Sequence, residues 1–391
     1  MRHRITVLGA GYAGATAAGY LARHLRPDDA EITVVNPEPD FVERIRLHQL
    51  AAGHELRRHS LAQMFAGTGI RLRLASVTAV DPGRRTVTVT DGRGLDQIPY
   101  DTLLYTLGST VGDRGVPGVA EHARHVAGRP SALRLRERLD ELGGRGSVLV
   151  VGGNLTAIEA ATEIAEARPG LRLTLATTGE LGGWLSPAAR RHLRRAFDRY
   201  GISVHENTTI NRVEPAGAVA TDGTAFAADV TVWAAGFAVH PIAAASGLAV
   251  EGDGRITVDR MMRSVSHPGV YAAGDSAYAI GDNGRPLPMT CASAGFTRMQ
   301  ATAAILGDLT GHQVAKTSLP YFGHCISLGR RDGIFQVVDG AAHSKSWSLR
   351  GRPAARVKAS VYRGTVWGLN YPTYGLPVRR QRVTAAELAT P

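Results

Sequence analysis

Gly9, Gly11 and Gly14 in "RITVLGAGYAGATAAGYLARHL" are spaced for one kind of chemistry. A glycine at the first position permits a tight turn, one at the second lets backbone approach a pyrophosphate, and one at the third lets a helix pack closely on a strand. The apolar run Ile5 to Leu8 precedes them and an alanine-rich stretch follows, so the segment reads as strand, phosphate loop and helix. The helix start would attract the anion. Far along the chain, "HPGVYAAGDSAYA" ends a second apolar run in Gly274 and Asp275. An acid there either caps a helix start or meets a long cofactor reaching across from the first loop. A third stretch, "SVLVVGGNLTAIEAATEIAE", repeats the strand, turn and helix order with a damaged pattern: Gly152, Gly153, Asn154 and then Ala157. Asn154 stands where pyrophosphate passes close to glycine, and its side chain would take part of that path. Asn also visits left-handed backbone readily, so the turn itself is expected to survive.

Two further strands must position the rest of a nucleotide. "EITVVN" ends at Asn36, where a carboxylate usually holds a ribose. The amide either bonds a ribose hydroxyl without charge assistance or merely starts the "NPEPD" turn. "LRLTLATTGE" ends at Thr177, with Glu180 slightly further on and no Arg at the strand end for a 2′-phosphate, so neither NADH nor NADPH is selected.

Composition removes several classes. The formal charge of +11 comes from scattered basic residues, of which only Lys316, Lys345 and Lys358 are lysines, and no basic and aromatic face suggests nucleic acid. The apolar opening carries its glycines at nucleotide-loop spacing and is not expected to be a signal peptide. No apolar run approaches about 20 residues, so no transmembrane segment is expected. Cys291 and Cys325 lie far apart with no CxxC, which argues against a disulfide framework or a dithiol centre and for a cytoplasmic protein. No metal site is expected.

With both nucleotide loops in view, the chain resembles the two-dinucleotide-binding flavoproteins of the pyridine nucleotide-disulfide oxidoreductase superfamily. "YDTLLYTLGST", with Gly108, and "DVTVWAAGFAVHP" match the strands that leave and rejoin the FAD domain. Without a CxxC, it looks most like the branch of type II NADH dehydrogenases and their apoptosis-inducing-factor and sulfide:quinone reductase relatives. The resemblance implies an α/β fold with two Rossmann-type domains, the second inserted in the first, and a small C-terminal α+β domain. Its expected bounds are 1–112 with 240–318 for FAD, 113–239 for NAD(P)H, and 319–391 for the remainder.

The resemblance further implies FAD contacts at Gly9, Gly11, Gly14, Asn36, Gly108, Gly274 and Asp275, and NAD(P)H contacts at Gly152, Gly153 and Asn154, weakened by Asn154. "FVERIRLHQLAAG" falls where relatives place a segment beside the flavin, so Arg46, His48 and Gln49 either line the ring or form the solvated face of a helix. His48 is also the residue to test for covalent attachment. Glu159 matches a glutamate near the nicotinamide, with a surface or salt-bridging role as the alternative. Thr290, Cys291 and Ser293 begin a helix aimed at the flavin; Cys291 is either a nucleophile or charge-transfer thiolate, or a small buried filler. The tail reads as strands followed by a cluster of Tyr362, Trp367, Tyr371 and Tyr374. Pro372 and Pro377 are expected to break any helix there, and the apolar spacing shows no sidedness, which argues against membrane docking. The aromatics form either a lid over a substrate pocket or a packing or homodimer contact.

The expected activity is FAD-dependent hydride transfer from NAD(P)H to a quinone or other small acceptor. The alternatives are a specialised dehydrogenase or oxidase of secondary metabolism, acting directly on an organic substrate with a vestigial NAD(P)H site, and a flavin-bearing redox sensor.

Overall fold

The computed structural model describes residues 1–339 and 343–384; positions 340–342 and 385–391 of the expected C-terminal domain lie outside the described residues. Strand β1 (His3–Leu8) leads into helix α1 (Gly14–His24) and strand β2 (Ala30–Asn36). Ile5, Val7 and Leu8 are wholly buried, each contributing roughly 1.5–3 kcal/mol of hydrophobic stabilisation. A short helix α2 (Leu47–Ala52) follows, then β3 (Arg71–Leu74) and β4 (Thr102–Tyr105). The second unit contains β5 (Gly146–Val151), α3 (Leu155–Ala167), β6 (Leu171–Ala176), β7 (Ser203–His205) and β8 (Val230–Trp233). After it come β9 (Val270–Ala272) and the long helix α4 (Cys291–Thr310).

The first sheet is parallel in the order β9-β4-β1-β2-β3. The chain therefore leaves beside β1 after Tyr105 and returns at Val270 to pair with the strand it left. The second sheet, also parallel, has the order β7-β6-β5-β8, with Ala123–Arg124 at its edge. The outgoing segment Ser109–Val111 and the returning Phe237–Val239 pair antiparallel, so the two crossings form one ribbon. Each sheet has its own buried core. Helix α2 belongs to the first unit by sequence, yet Leu47, Leu50, Ala51 and Ala52 join the second core, packed against α3.

The tail forms an antiparallel sheet of β10 (Gly323–Ser327), β11 (Gly333–Val338) and β12 (Ser344–Arg350), covered by helix α5 (Arg352–Asn370). The expectation that proline excludes a helix here is corrected. Pro372 lies beyond the helix end, and Pro353 occupies its first turn, where no backbone donor is lost. The helix is also sided: Ala354, Lys358 and Leu369 are buried while Arg352, Arg356 and Arg363 are exposed.

Candidate functional site

The three glycines of the first loop do different work. A Cβ on Gly9 would stand 2.6 Å from the Thr106 carbonyl oxygen, and one on Gly14 would stand 1.9 Å from that of Gly9, so both are demanded by packing. A Cβ on Gly11 would meet nothing within 4 Å. No side chain caps the start of α1, which leaves its dipole and backbone donors facing the space that Gly11 keeps open. Asn36 braces the loop: its Oδ1 accepts from Ala10 N–H at 2.9 Å and its Nδ2 donates to the Glu38 carbonyl at 2.7 Å. The turn role is thus real, and a ribose contact through the remaining Oδ1 lone pair stays compatible with it.

Asp275 is brought to the same sheet edge by β9. Gly274 adopts φ +74° and donates to Thr297 Oγ1 at 3.0 Å. Ser109 Oγ donates to Asp275 Oδ2 at 2.6 Å, and Gly108 N–H donates to Ser276 Oγ at 2.9 Å, tying the crossover to the Gly-Asp step. Arg44 reaches this junction, with Nη2 3.4 Å from Ser109 Oγ. Sequence reasoning passed over Arg44 for Arg46, which instead pairs with Glu43 at 3.2 Å and Gln49 at 2.9 Å. An open glycine cradle, an uncapped helix start, a carboxylate and a guanidinium fit the two ends of FAD's diphosphate and ribityl chain.

His48 and Gln49 are not on a solvated face; they are 4% and 5% exposed. His48 Nδ1 lies 3.9 Å from Glu159 Oε2, and Glu159 Oε1 is 2.9 Å from Lys358 Nζ. Glu159 Oε1 also accepts from Ser327 N–H at 2.8 Å, while Lys358 donates to the Cys325 carbonyl at 2.7 Å. Burial opposes charge on both partners, but their attraction wins, holding the Glu159 carboxyl below its usual range and Lys358 above its own. Burial lowers His48 to about 4, against the pull of Glu159, so its imidazole is neutral at neutral pH. Lys358 was missed as a site residue. Nothing local in the sequence separates it from Lys316 and Lys345.

Cys291 is close enough to Asp275, Lys358 and Glu159 for the charge of each to act on its thiol. Burial raises its thiol above the ordinary range, and that of Cys325 to about 11, a direction that suits a small buried filler better than a thiolate. Thr290 Oγ1 accepts from Ser293 N–H at 3.2 Å and caps α4.

The second loop is spent internally. Gly152 holds φ +137°, and its Cβ would lie 2.5 Å from the Ala234 carbonyl oxygen. A Cβ on Gly153 would stand 2.1 Å from the hydroxyl of buried Thr177. Asn154 is extended, not left-handed, and its Oδ1 accepts from Ala157 N–H at 3.0 Å as the cap of α3. Glu180 pairs with Arg190 at 2.7 Å.

A cavity of about 630 Å³ lies along α5, walled by Tyr362, Trp367, Tyr371 and Arg46. A second of about 240 Å³, sharing Arg46 and Tyr362, has Lys358 in its wall. Among the described residues no helix is long and apolar enough to cross a membrane, and no group of three or more His, Cys, Asp or Glu side chains could hold a metal ion.

Two parallel nucleotide folds, one nested between strands of the other, with a carboxylate opposite an open glycine loop, define an FAD-dependent oxidoreductase. Residues 3–302 match the pyridine nucleotide-disulphide oxidoreductase family, to which the chain belongs. It is 27% identical over 387 residues to an NADH dehydrogenase-like protein of Mycobacterium tuberculosis, covering 92% of each chain. The fold is shared with NDH2 of Plasmodium falciparum in complex with NADH, at TM-score 0.79 and 13% identity over 96% of this chain and 97% of that one. It is shared too with the sulfide:quinone oxidoreductase of Aquifex aeolicus, at TM-score 0.77 and 19% identity over 100% and 99%.

Proposed function

We propose that the protein oxidises NAD(P)H and passes the electrons to a quinone or similar flat acceptor. Bound FAD would supply the two-electron relay between donor and acceptor. The reading is carried by one arrangement: the aromatic cavity along α5 adjoins a smaller one whose wall includes Lys358, paired behind it with buried Glu159. An acceptor becoming a hydroquinone gains negative charge on oxygen, which a buried ammonium stabilises more strongly than a solvated one. Tyr362, between the two cavities with the Arg46 and Lys358 cations each 5.5 Å from its ring centroid, would give a flat ring its stacking partner. The name of the Mycobacterium tuberculosis relative, an NADH dehydrogenase-like protein, supports the donor side of this reading.

A second reading is favoured by Asn154. Its carboxamide occupies the helix start that α1 leaves open, so an organic substrate could reduce the flavin directly while the second loop stays empty. Anaerobic mixing of the yellow protein with NADH and separately with NADPH decides between them. Rapid bleaching at sub-millimolar nucleotide, followed by recovery of colour on adding a soluble naphthoquinone, is the expected result. Persistent colour with both nucleotides sinks the first reading.

A further inference from the structure

Helix α3 carries Glu159 and Glu163 one turn apart on the same side, facing α2. Glu163 is wholly buried, and neither carboxylate oxygen accepts a hydrogen bond. Across from it His48 Nε2, also buried, has no hydrogen-bond partner, and it lies 4.0 Å from Glu163 Oε2. Beyond Gly53, whose φ of +114° turns the chain at the end of α2, His54 Nε2 comes within 3.1 Å of Glu163 Oε1. His54 is one-third exposed, so the series ends at solvent. Its other end is the Glu159–Lys358 pair at the cavity, reached through His48 Nδ1 at 3.9 Å. Orphaned polar atoms in an apolar core cost on the order of 1–3 kcal/mol each, and packing gives no return for them here.

We propose that His54, Glu163 and His48 form a proton relay from solvent to the Glu159–Lys358 pair, which it reloads during reduction of the acceptor. The proposal rests on the quinone reading above. The overall balance is NADH + H⁺ + quinone → NAD⁺ + hydroquinone: the hydride supplies both electrons and one proton, and the second proton comes from water. When the pair gives its proton to the acceptor oxygen, His48 Nδ1–H passes one to Glu159, Nε2 takes one from the Glu163 carboxyl, and His54 recharges Glu163 from water. A turn of the ring restores the first tautomer. Both His48 gaps exceed hydrogen-bond length by roughly 1 Å, so each transfer requires the ring or its carboxylate partner to shift toward the other.

The surroundings suit the task. Burial raises the Glu163 carboxyl to about 7, with Arg330 and Arg46 opposing and Glu166 and Glu159 reinforcing. It is thus protonated about half the time at neutral pH, while His48, facing Glu159, Lys358, Arg46 and Arg330, stays neutral with one nitrogen free to accept. Arg330, with Nε 3.8 Å from Glu163 Oε1, moderates the charge without closing the path.

The test uses the FAD-loaded enzyme and its Glu163→Gln and His54→Phe variants, in stopped flow with NADH and then with a soluble naphthoquinone. Positioned proton donors are commonly worth about 10²–10⁴-fold; bypass by water reduces this, so the expected slowing of the quinone half-reaction is roughly tenfold or more. A larger solvent isotope effect should accompany it, with little change in flavin reduction, and added imidazole should rescue His54→Phe. Independently of turnover, infrared spectra of the wild type should show a buried protonated carboxyl titrating near neutral pH, absent in Glu163→Gln. Equal slowing of both half-reactions, an unchanged quinone step, or no such carboxyl band overturns the relay. If NADH bleaches the wild type and the quinone fails to restore it, the functional reading falls and the relay falls with it.

Discussion

Replacing Glu163 by Gln should remove a pH dependence of stability that the buried carboxyl imposes. The side chain is wholly buried, and its carboxyl stands at about 7 against an ordinary 4.5. Between those values the folded protein holds a proton that the unfolded chain has already released. Stability therefore falls as pH rises through the window and is level below and above it. The difference corresponds to about 3 kcal/mol. His48 acts in the opposite sense: lowered to about 4 from 6.5, it makes the fold lose stability as pH falls from 6.5 towards 4. Over most of the range the two offset each other in the wild type. The variant keeps the His48 contribution and loses that of Glu163, so the quantity to follow is variant minus wild type. It should climb by about 3 kcal/mol from pH 4.5 to 7 and then stay flat. A chain of this size does not unfold in one step; melting temperatures measured at several pH values, with amide exchange of α3, locate the effect. A difference independent of pH would show that Glu163 titrates like a solvated carboxylate, and the burial argument would be wrong.

The two glycine loops offer contrasting substitutions. Gly11→Ala adds a methyl to open space and should leave the apoprotein's melting unchanged while lowering its FAD content; Gly14→Ala drives a methyl into the Gly9 carbonyl and should cost a few kcal/mol of fold stability. Asn154→Ala removes the cap of α3 and should cost about 1 kcal/mol, whereas Asn154→Gly should cost only a few tenths and tighten NADH binding, read by flavin bleaching against nucleotide concentration. Lys358→Met strands a buried Glu159 and should destabilise by about 3–5 kcal/mol. That loss should shrink at low pH, where the unpaired carboxyl protonates, and shrink again in the Lys358→Met, Glu159→Gln double variant.

The first loop and the Gly-Asp step were legible because their meaning is local: strand, turn and helix lie within one short run, and β1 and α1 formed where glycine spacing put them. Asn154 was legible as a departure but not in its consequence, since extended backbone with a side-chain cap and left-handed backbone are equally open to Asn in sequence. Arg44 and Lys358 could not be placed, because each meets its partners only across the fold: Lys358 reaches Glu159 from a helix that the sequence reading had ruled out. That helix was misjudged for a physical reason. Gly364, Gly368 and the branched residues between them give poor intrinsic propensity, and packing over β11 supplies what propensity lacks.

The same helix explains why the cavity is ordered in depth. Lys358, Tyr362 and Val366 recur at four-residue spacing and so lie along one side of α5. The Lys358 side chain is 10% exposed, while Trp367 is 46% and Tyr371 50% exposed. A ligand moving along the helix thus passes from exposed aromatic surface, past the Tyr362 ring, to a buried ammonium. An aliphatic acid would find the charge but no stacking, and a purely apolar ring would find stacking but leave the ammonium desolvated beside Glu159. A flat ring bearing oxygen at its far edge satisfies both ends, which is the shape and polarity that the proposed quinone acceptor would bring.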